Sequence, residues 1–185
     1  VPSPTGALPQ YQVSNTNQEA KGLDLEAQWQ PLAELRLSFN GSYIDSTYRH
    51  AVAPSGIDIS GQPVDEPRFS YTLGAGYTWH GIAGGDLALD LQYGYRGRIR
   101  CNDDSVNQGK CALATHFKLG NARQRTDLRL DWTAPGARWG VGAYVNNLFD
   151  QRYVDGINYV SALLGTPYAY ITPPRMWGVE FRMKF

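Results

Sequence analysis

The last nine residues, WGVEFRMKF (177–185), alternate between two kinds of side chain. Every second residue is apolar: Trp177, Val179, Phe181, Met183 and Phe185. The residues between them are small or charged. Because successive side chains of a strand point to opposite faces of its sheet, this period of two predicts a two-faced strand that ends on an aromatic ring.

Six further segments share this alternation. They are GLDLEAQW (22–29), LRLSFNGSY (35–43), FSYTLGAGYTW (69–79), DLALDLQYGY (86–95), TDLRLDW (126–132) and WGVGAYV (139–145). Short connections rich in Pro or Gly join them in pairs, as tight hairpins require. The other connections are long and cover about 48–67, 100–121 and 150–173. We predict an all-β, antiparallel transmembrane β-barrel, with short turns at one end and long loops at the other.

Aromatic residues on the apolar face are sorted toward the two ends of these segments. The rings beside the short connections are Trp29, Trp79, Trp132 and Trp139. The rings near the long connections are Tyr43, Phe69, Tyr71, Tyr93, Tyr95 and Trp177. Two aromatic belts are typical of a membrane with two interfaces. The alternative, the core of a soluble β-protein, gives tryptophan no reason to gather at one end.

The opposite face carries many charges, which suit a wide hydrated lumen or one filled by a polar plug. They are Asp24, Glu26, Arg36, Asp90, Arg96, Asp127, Arg129, Asp131, Glu180, Arg182 and Lys184. We expect four of the residues on the polar face to point into the lumen: Arg36, Asp90, Arg129 and Glu180. On the apolar face, we expect lipid contact for Leu37, Leu89, Leu130 and Val141.

Composition argues against several other classes of protein. The 185 residues include 17 basic and 17 acidic side chains, so the basic excess expected of a nucleic-acid-binding protein is missing. No apolar run approaches the ~18 residues of a membrane helix. His50, His80 and His116 are scattered, and the common catalytic and phosphate-binding motifs do not occur. We predict no catalytic residues, no cofactor and no metal site; an outer-membrane hydrolase with a Ser–His pair formed in space is an alternative.

Two stretches near the C-terminus carry a family resemblance. NNLFDQRY (146–153) follows the sixth segment, and PPRMWGVEFRMKF (173–185) contains the seventh. Together they resemble the end of TonB-dependent outer-membrane receptors, in which N-L-F-D and a Tyr close the penultimate strand and Pro-Arg opens the last. The matching residues are Asn147, Leu148, Phe149, Asp150, Tyr153, Pro174, Arg175 and Phe185. The resemblance extends upstream to about Gly22.

This resemblance implies that residues 1–185 are the C-terminal seven strands of a 22-stranded barrel whose plug domain lies outside this chain. It implies active uptake of a scarce nutrient, most of all a ferric siderophore or similar metal chelate, driven through TonB. The location implied is the Gram-negative outer membrane, with the long loops extracellular and the C-terminus periplasmic. A passive porin or a surface adhesin without a plug is the alternative.

The final strand resembles the signal that the barrel-assembly machinery reads. Its residues in that role are Trp177, Val179, Phe181, Met183 and Phe185. An unpaired strand edge can be extended by a strand of a partner, which gives the signal a physical basis. The alternative is that Phe185 is an anchor at the lipid interface, and the two roles are compatible.

Substrate contacts are expected on the long loops, where Arg and Tyr suit anionic or aromatic ligands. The candidates are Tyr48, Arg49, His50, Arg98, Arg100, Arg152 and Tyr153. In the N-L-F-D element we expect Asn147 and Asp150 to satisfy backbone groups where the strand stops. We expect Phe149 to pack where the strand leaves the membrane; ligand contact is the alternative role for this element.

Cys101 and Cys111 lie in the second long connection with nine residues between them. Two nearby cysteines in an exported protein predict a disulfide. A metal-binding thiol pair is the alternative, but the nearest histidine, His116, is not at a convincing spacing. Asp103 and Asp104 lie between the cysteines and are expected to be solvated rather than to bind calcium.

Overall fold

The computed structural model describes residues 16–107, 111, 120–158 and 168–184. Its strands are β1 (Asn17–Trp29), β2 (Leu35–His50), β3 (Phe69–Ile82), β4 (Gly85–Arg96), β5 (Arg123–Thr133), β6 (Trp139–Asn146), β7 (Val154–Asn158), β8 (Tyr168–Ile171) and β9 (Met176–Met183). Seven of them form one antiparallel sheet in the order β1-β2-β3-β4-β5-β6-β9, here called the wall. Six predicted segments lie wholly in one strand each, and the seventh lies in β9 as far as Met183, so the all-β antiparallel prediction is confirmed.

The wall is an open sheet in the part of the chain described. Its two edges are β1 and β9, each of which pairs with a wall strand on one side. Three tight hairpins join β1 to β2, β3 to β4 and β5 to β6. The hairpin between β3 and β4 turns through Gly81 and Gly84, whose positive φ angles of 78° and 79° favour glycine.

Residues directly opposite each other in the ladders place the predicted apolar side chains on one face. Leu89 is opposite Tyr77 on one side and Leu130 on the other, and Leu130 is opposite Ala143. Large apolar side chains on this face are exposed; Trp177, for example, is 75% exposed. Within the described residues, much of this apolar face is therefore not covered by other parts of the protein.

The aromatic sorting along the strands produces ring contacts at both ends of the wall. Toward the long connections, Tyr71 lies 5.1 Å from Tyr95 and 5.5 Å from Phe69 between ring centroids. Toward the short turns, Trp132 and Trp139 lie 4.8 Å apart. The two aromatic belts predicted from the sequence are therefore two clusters of neighbouring side chains.

The wall differs from the prediction at its long-loop end. Strand β2 continues past Tyr43 to His50, and β1 begins at Asn17 to pair with it. Tyr48, Arg49 and His50 therefore lie in a strand and not in a loop, which corrects the predicted start of the first long connection. This extension is polar, so the apolar alternation used to find strands does not mark it.

The other two long connections contain structure of their own. Helix α1 (Asp103–Asn107) lies in the second, and the hairpin β7–β8 lies in the third. No helix among the described residues is long and apolar enough to cross a membrane. The last strand, β9, begins after Pro173 and Pro174, residues that cannot donate to a ladder. Its predicted last residue, Phe185, lies outside the described residues.

Candidate functional site

The polar face of the wall is organised in rows that cross the strands. In the row nearest the long loops, successive strands β1 to β5 contribute Asp24, Ser42, Ser70, Arg96 and Arg123. In the next row they contribute Glu26, Asn40, Thr72, Gly94 and Arg125. Directly opposite residues share a face, so each row runs from a carboxylate on β1, across hydroxyl and amide groups, to guanidinium groups.

These two rows line a cavity of about 840 Å³, here called the polar groove. The third long connection closes one side of it with Asn147, Gln151, Tyr153, Thr172 and Pro173. Sites for small-molecule ligands typically measure about 300–1,000 Å³. The polar groove therefore has the size of a ligand site and lies next to the long loops.

Farther from the long loops, the polar face neutralises its own charges. The Arg129 side chain donates to Asp131 at 2.6 Å and to Glu180 at 2.5 Å, and Arg182 also pairs with Asp131. On the same face, Arg36 of β2 pairs with Asp90 of β4 at 3.5 Å. These partners lie on one face, as predicted for Arg36, Asp90, Arg129 and Glu180.

One glycine provides the room for this network. A Cβ atom added at Gly142 would lie 2.5 Å from Asp131 Oδ1 and 3.0 Å from Arg129 Nη2. The first distance is shorter than real Cβ contacts and the second is tight, so a larger residue at position 142 would displace these two charged side chains.

The first and second long connections are joined by hydrogen bonds, and we call this joint the loop clasp (51–68 with 97–107). Its centre is Arg100, whose Nη1 donates to Asp45 Oδ1 at 2.5 Å and whose Nη2 donates to the Ser46 carbonyl at 2.7 Å. Arg68 also donates to Asp45, at 3.2 Å. Only 16% of the Arg100 side chain is exposed. Arg100, predicted as a substrate contact, therefore holds the second connection to the end of β2.

The start of helix α1 completes the loop clasp. Asn102 caps the helix by accepting from the Ser105 backbone N–H at 2.8 Å, and its own amide donates to the Pro63 carbonyl at 2.9 Å. Asp103 accepts from Gln62 at 2.7 Å. These bonds cross between the two connections, so Asn102 and Asp103 fasten one to the other.

Two sequence predictions are settled in the loop clasp. Cys101 and Cys111 form the predicted disulfide, with Cα atoms 6.0 Å apart. The expectation that Asp103 and Asp104 are merely solvated is wrong, because Asp104 accepts from the Ser55 hydroxyl at 2.6 Å and Asp103 from Gln62. The partners lie 49 and 41 positions away in the chain, so no local sequence pattern predicts these contacts.

The N-L-F-D element forms the junction between β6 and the third connection. Buried Asn147 donates through its amide to the carbonyls of Gln151 and Pro173, at 2.9 and 3.1 Å, and accepts from the Gln151 N–H. Its own N–H donates to Asp127. Asn147 also adopts a φ of 56°, which asparagine tolerates better than most residues. The predicted backbone role is confirmed for Asn147.

Asp150 completes this junction. Its carboxylate accepts from Arg152 at 3.0 Å and from the Arg175 backbone N–H at 2.8 Å. The Arg152 side chain, and then the Arg175 N–H, hold the pKa of Asp150 below its usual value. Phe149 is 66% exposed, so the packing expected for it is not found among the described residues.

The other predicted substrate contacts lie apart from one another in the structure. Tyr48 packs against a small loop core of Ala51, Ala53 and Ile59, and Arg49 pairs with Glu19. His50 and Arg98 are exposed. Arg152 pairs with Asp150, as described above. Of the seven candidates, only Tyr153 lines the polar groove.

Tyr153 is buried, with 8% of its surface exposed, and its hydroxyl oxygen accepts from the Gln124 N–H at 3.2 Å. The groove arginines Arg96, Arg123 and Arg125 were not among the predicted contacts. The sequence could have indicated them, because all three occupy polar positions of the period-two alternation, near the ends of their strands beside the long loops. No group of three metal-binding side chains occurs among the described residues.

Comparison with known proteins gives a consistent family assignment. No curated protein matches the chain. In the crystal structure of the ferric yersiniabactin uptake receptor of Yersinia pestis, 24% of the receptor chain matches 92% of this chain, with 21% identity and a TM-score of 0.67. The chain thus spans about a quarter of the length of that receptor. The family model for the β-barrel of TonB-dependent receptor-like proteins matches residues 1–148. The chain therefore belongs to the TonB-dependent receptor family, whose members are outer-membrane receptors of Gram-negative bacteria.

Proposed function

We propose that the whole receptor takes up a scarce nutrient complex, a ferric siderophore or similar metal chelate, with energy supplied through TonB. The observation that carries this proposal is the polar groove, which has the volume of a small-molecule site and lies beside the long loops. The ferric ligand of the Yersinia pestis receptor makes metal chelates the first class to test. The family match favours this function over a passive porin or an adhesin.

We also propose how the chain fits into the whole receptor. Residues 1–185 form the C-terminal part of a 22-stranded barrel, and the plug that contacts TonB belongs to another part of the protein. The free edges of β1 and β9 would pair with further barrel strands, and lipid would cover the apolar face. The long loops are extracellular and the C-terminus is periplasmic in this arrangement.

The predicted loop contacts divide into two groups under this proposal. His50 and Arg98 are exposed and would meet the ligand first. The remaining five would position the loops and the groove through the contacts described above: Tyr48, Arg49, Arg100, Arg152 and Tyr153. The ligand would then pass from His50 and Arg98 to the polar groove.

Growth and uptake measurements test the proposed function. A strain that lacks the receptor gene is compared with the complemented strain on a panel of ferric chelates and oligosaccharides as nutrient sources. We expect loss of growth and of labelled-iron uptake for one ferric chelate, and the same loss when TonB is removed. Dependence on an oligosaccharide would contradict the substrate class, and uptake without TonB would favour the passive-porin alternative.

We further propose that β9 is read by the barrel-assembly machinery. Its apolar face is exposed along the strand, at Trp177, Val179, Phe181 and Met183. Deletion of Phe185 in the full receptor should reduce the amount in the outer membrane, while the inserted receptor keeps its heat stability. One ring is worth only about 1.5–3 kcal/mol of burial, which a large finished barrel tolerates. If the deletion leaves the amount of receptor in the outer membrane unchanged, Phe185 acts only as an anchor at the lipid interface.

A further inference from the structure

The geometry points to an anion-binding subsite at Arg96, Arg123 and Arg125 in the polar groove. We infer that it takes anionic oxygen groups of the nutrient complex, such as carboxylates or catecholates. That the occupant is the transported nutrient rests on the proposed function. That the three arginines bind an oxyanion rests on the structure alone and can be tested separately.

The first argument is the position of like charges. Arg96 on β4 and Arg123 on β5 are directly opposite each other in the ladder. Arg125 is two residues further along β5 and so points to the same face. Like charges placed directly opposite one another destabilise a strand pair. An arrangement with this cost is explained if an anion binds between the guanidinium groups.

The second argument is incomplete neutralisation. Arg123 pairs with Asp155 and donates to the Val154 carbonyl at 2.9 Å, and Arg125 pairs with Asp127 at 2.8 Å. Arg96 is exposed and makes no hydrogen bond or ion pair with any residue that the structure describes. One guanidinium of the three is therefore left to an external partner.

The rest of the wall provides an internal comparison. Near the short turns, Arg36, Arg129 and Arg182 each pair with a carboxylate on the same face. The wall thus neutralises arginines with carboxylates of its own where a ligand does not need them. Among the arginines in described wall strands, Arg96 alone has no carboxylate partner, and it lies at the end beside the long loops.

The shape of the groove leaves room for the anion. Gly94 is directly opposite Arg125, and a Cβ atom added there would meet no atom within 4 Å. The hydroxyls of Ser70 and Thr72 come next in the two rows and can donate further hydrogen bonds. Arginine forks bind carboxylates through two parallel hydrogen bonds, which favours planar oxyanions over halide ions.

Charges at the other end of the rows orient the ligand. Asp24 and Glu26 on β1 are three strands away from Arg96 and Gly94. Strands are about 4.8 Å apart, which gives a separation of about 14 Å along the sheet. The groove is therefore positive on one side and negative on the other, and an anionic group would be drawn to the β4–β5 side.

Chemical modification of the full-length purified receptor tests the subsite with citrate, a tricarboxylate, as the probe. Phenylglyoxal modifies accessible arginines, and mass spectrometry follows each site separately. We expect citrate to slow modification of Arg96 and Arg123 several-fold. Arg138 is the matched control, since it is exposed in the short turn between β5 and β6 and does not line the groove. Equal rates for Arg96 with and without citrate would overturn the inference.

The same experiment separates two sources of an oxyanion, the nutrient complex and an acidic side chain of the plug. If Arg96 is unreactive both with and without citrate, the plug occupies the cluster and the inference fails. If citrate protects Arg96 but no ferric chelate is taken up, the subsite stands and the proposed nutrient class is wrong. The two proposals can therefore fail independently.

Substitution then connects the subsite to transport. Arg96→Gln should raise the KM for uptake of an anionic ferric chelate about tenfold or more, because a charged hydrogen-bond donor is lost. Arg96→Lys keeps the charge but not the fork and should give a smaller increase. Arg138→Gln, in the short turn between β5 and β6, should leave KM unchanged. Normal KM for Arg96→Gln, with normal outer-membrane levels, would contradict a role in binding the substrate.

Discussion

In the wall, each strand is held by a regular ladder and by side chains that repeat every second residue, whereas the loop clasp depends on single side chains such as Arg100 and Asn102. Many residues contribute to the stability of the wall, whereas few residues hold the loop clasp together. The wall also presents its apolar residues outward, while the clasp buries a small core of Ala51, Ala53 and Ile59. Substitutions in the two regions should therefore act on different properties.

The largest effect is expected on the apolar face of the wall, which the proposed arrangement places against lipid. Leu89→Arg places a charge near the middle of the membrane and should reduce the unfolding free energy by roughly 2–4 kcal/mol. The matched control is Gln92→Arg, which lies on the polar face of the same strand. Chemical unfolding of the full receptor in lipid vesicles measures the difference. Equal effects of the two substitutions would contradict the assignment of the faces.

A smaller effect is expected at the junction of wall and loop. Asn147→Ala removes hydrogen-bond partners from Gln151 and Pro173 and should cost about 1–3 kcal/mol. The neighbouring Asn146→Ala is the control, since no side-chain hydrogen bond of Asn146 is seen among the described residues. Unfolding midpoints of both variants provide the comparison. If the junction is stabilised by the strand ladder alone, the two variants should have the same unfolding midpoint.

The disulfide should affect the clasp and leave the wall unchanged. The double substitution Cys101→Ser and Cys111→Ser releases a short closed segment outside the ladder. We expect proteolysis within 97–121 to become several-fold faster, with little change in the melting temperature of the receptor. Thiol labelling of the unreduced native protein gives the direct check, because two labelled cysteines would exclude the bond. A large fall in melting temperature would show that the wall depends on the clasp.

The smallest effect is a pH dependence at the junction. The pKa of Asp150 is lowered in the folded protein, so its stabilising contribution is present above the usual carboxyl pKa. The contribution is lost as the pH falls through the lowered pKa. The protection factor for hydrogen exchange at the Arg175 amide, which donates to Asp150, should therefore fall in acid once the intrinsic pH dependence of exchange is divided out. Asp150→Asn should remove this fall; if the fall persists in that variant, another group is responsible.

The wall could be predicted from the sequence because its rule is local. A residue such as Leu89 needs only its neighbours two positions away to show which face it occupies. The family resemblance depended in the same way on short stretches, 146–153 and 173–185. The disulfide between Cys101 and Cys111 was also predictable, because the two residues are close in the chain.

The sequence did not predict which polar residues pair with each other, because the partners are far apart in the chain. Arg100 is 55 positions from Asp45, and Arg123 is 32 positions from Asp155, distances over which no periodic pattern connects them. Alternation places Arg96 and Arg123 on the polar face, but only the register of β4 against β5 makes them direct neighbours. Local side-chain chemistry thus determined the faces of the strands, whereas the ladders and loop contacts determined which charges meet, because these energies depend on distances that only the folded chain defines.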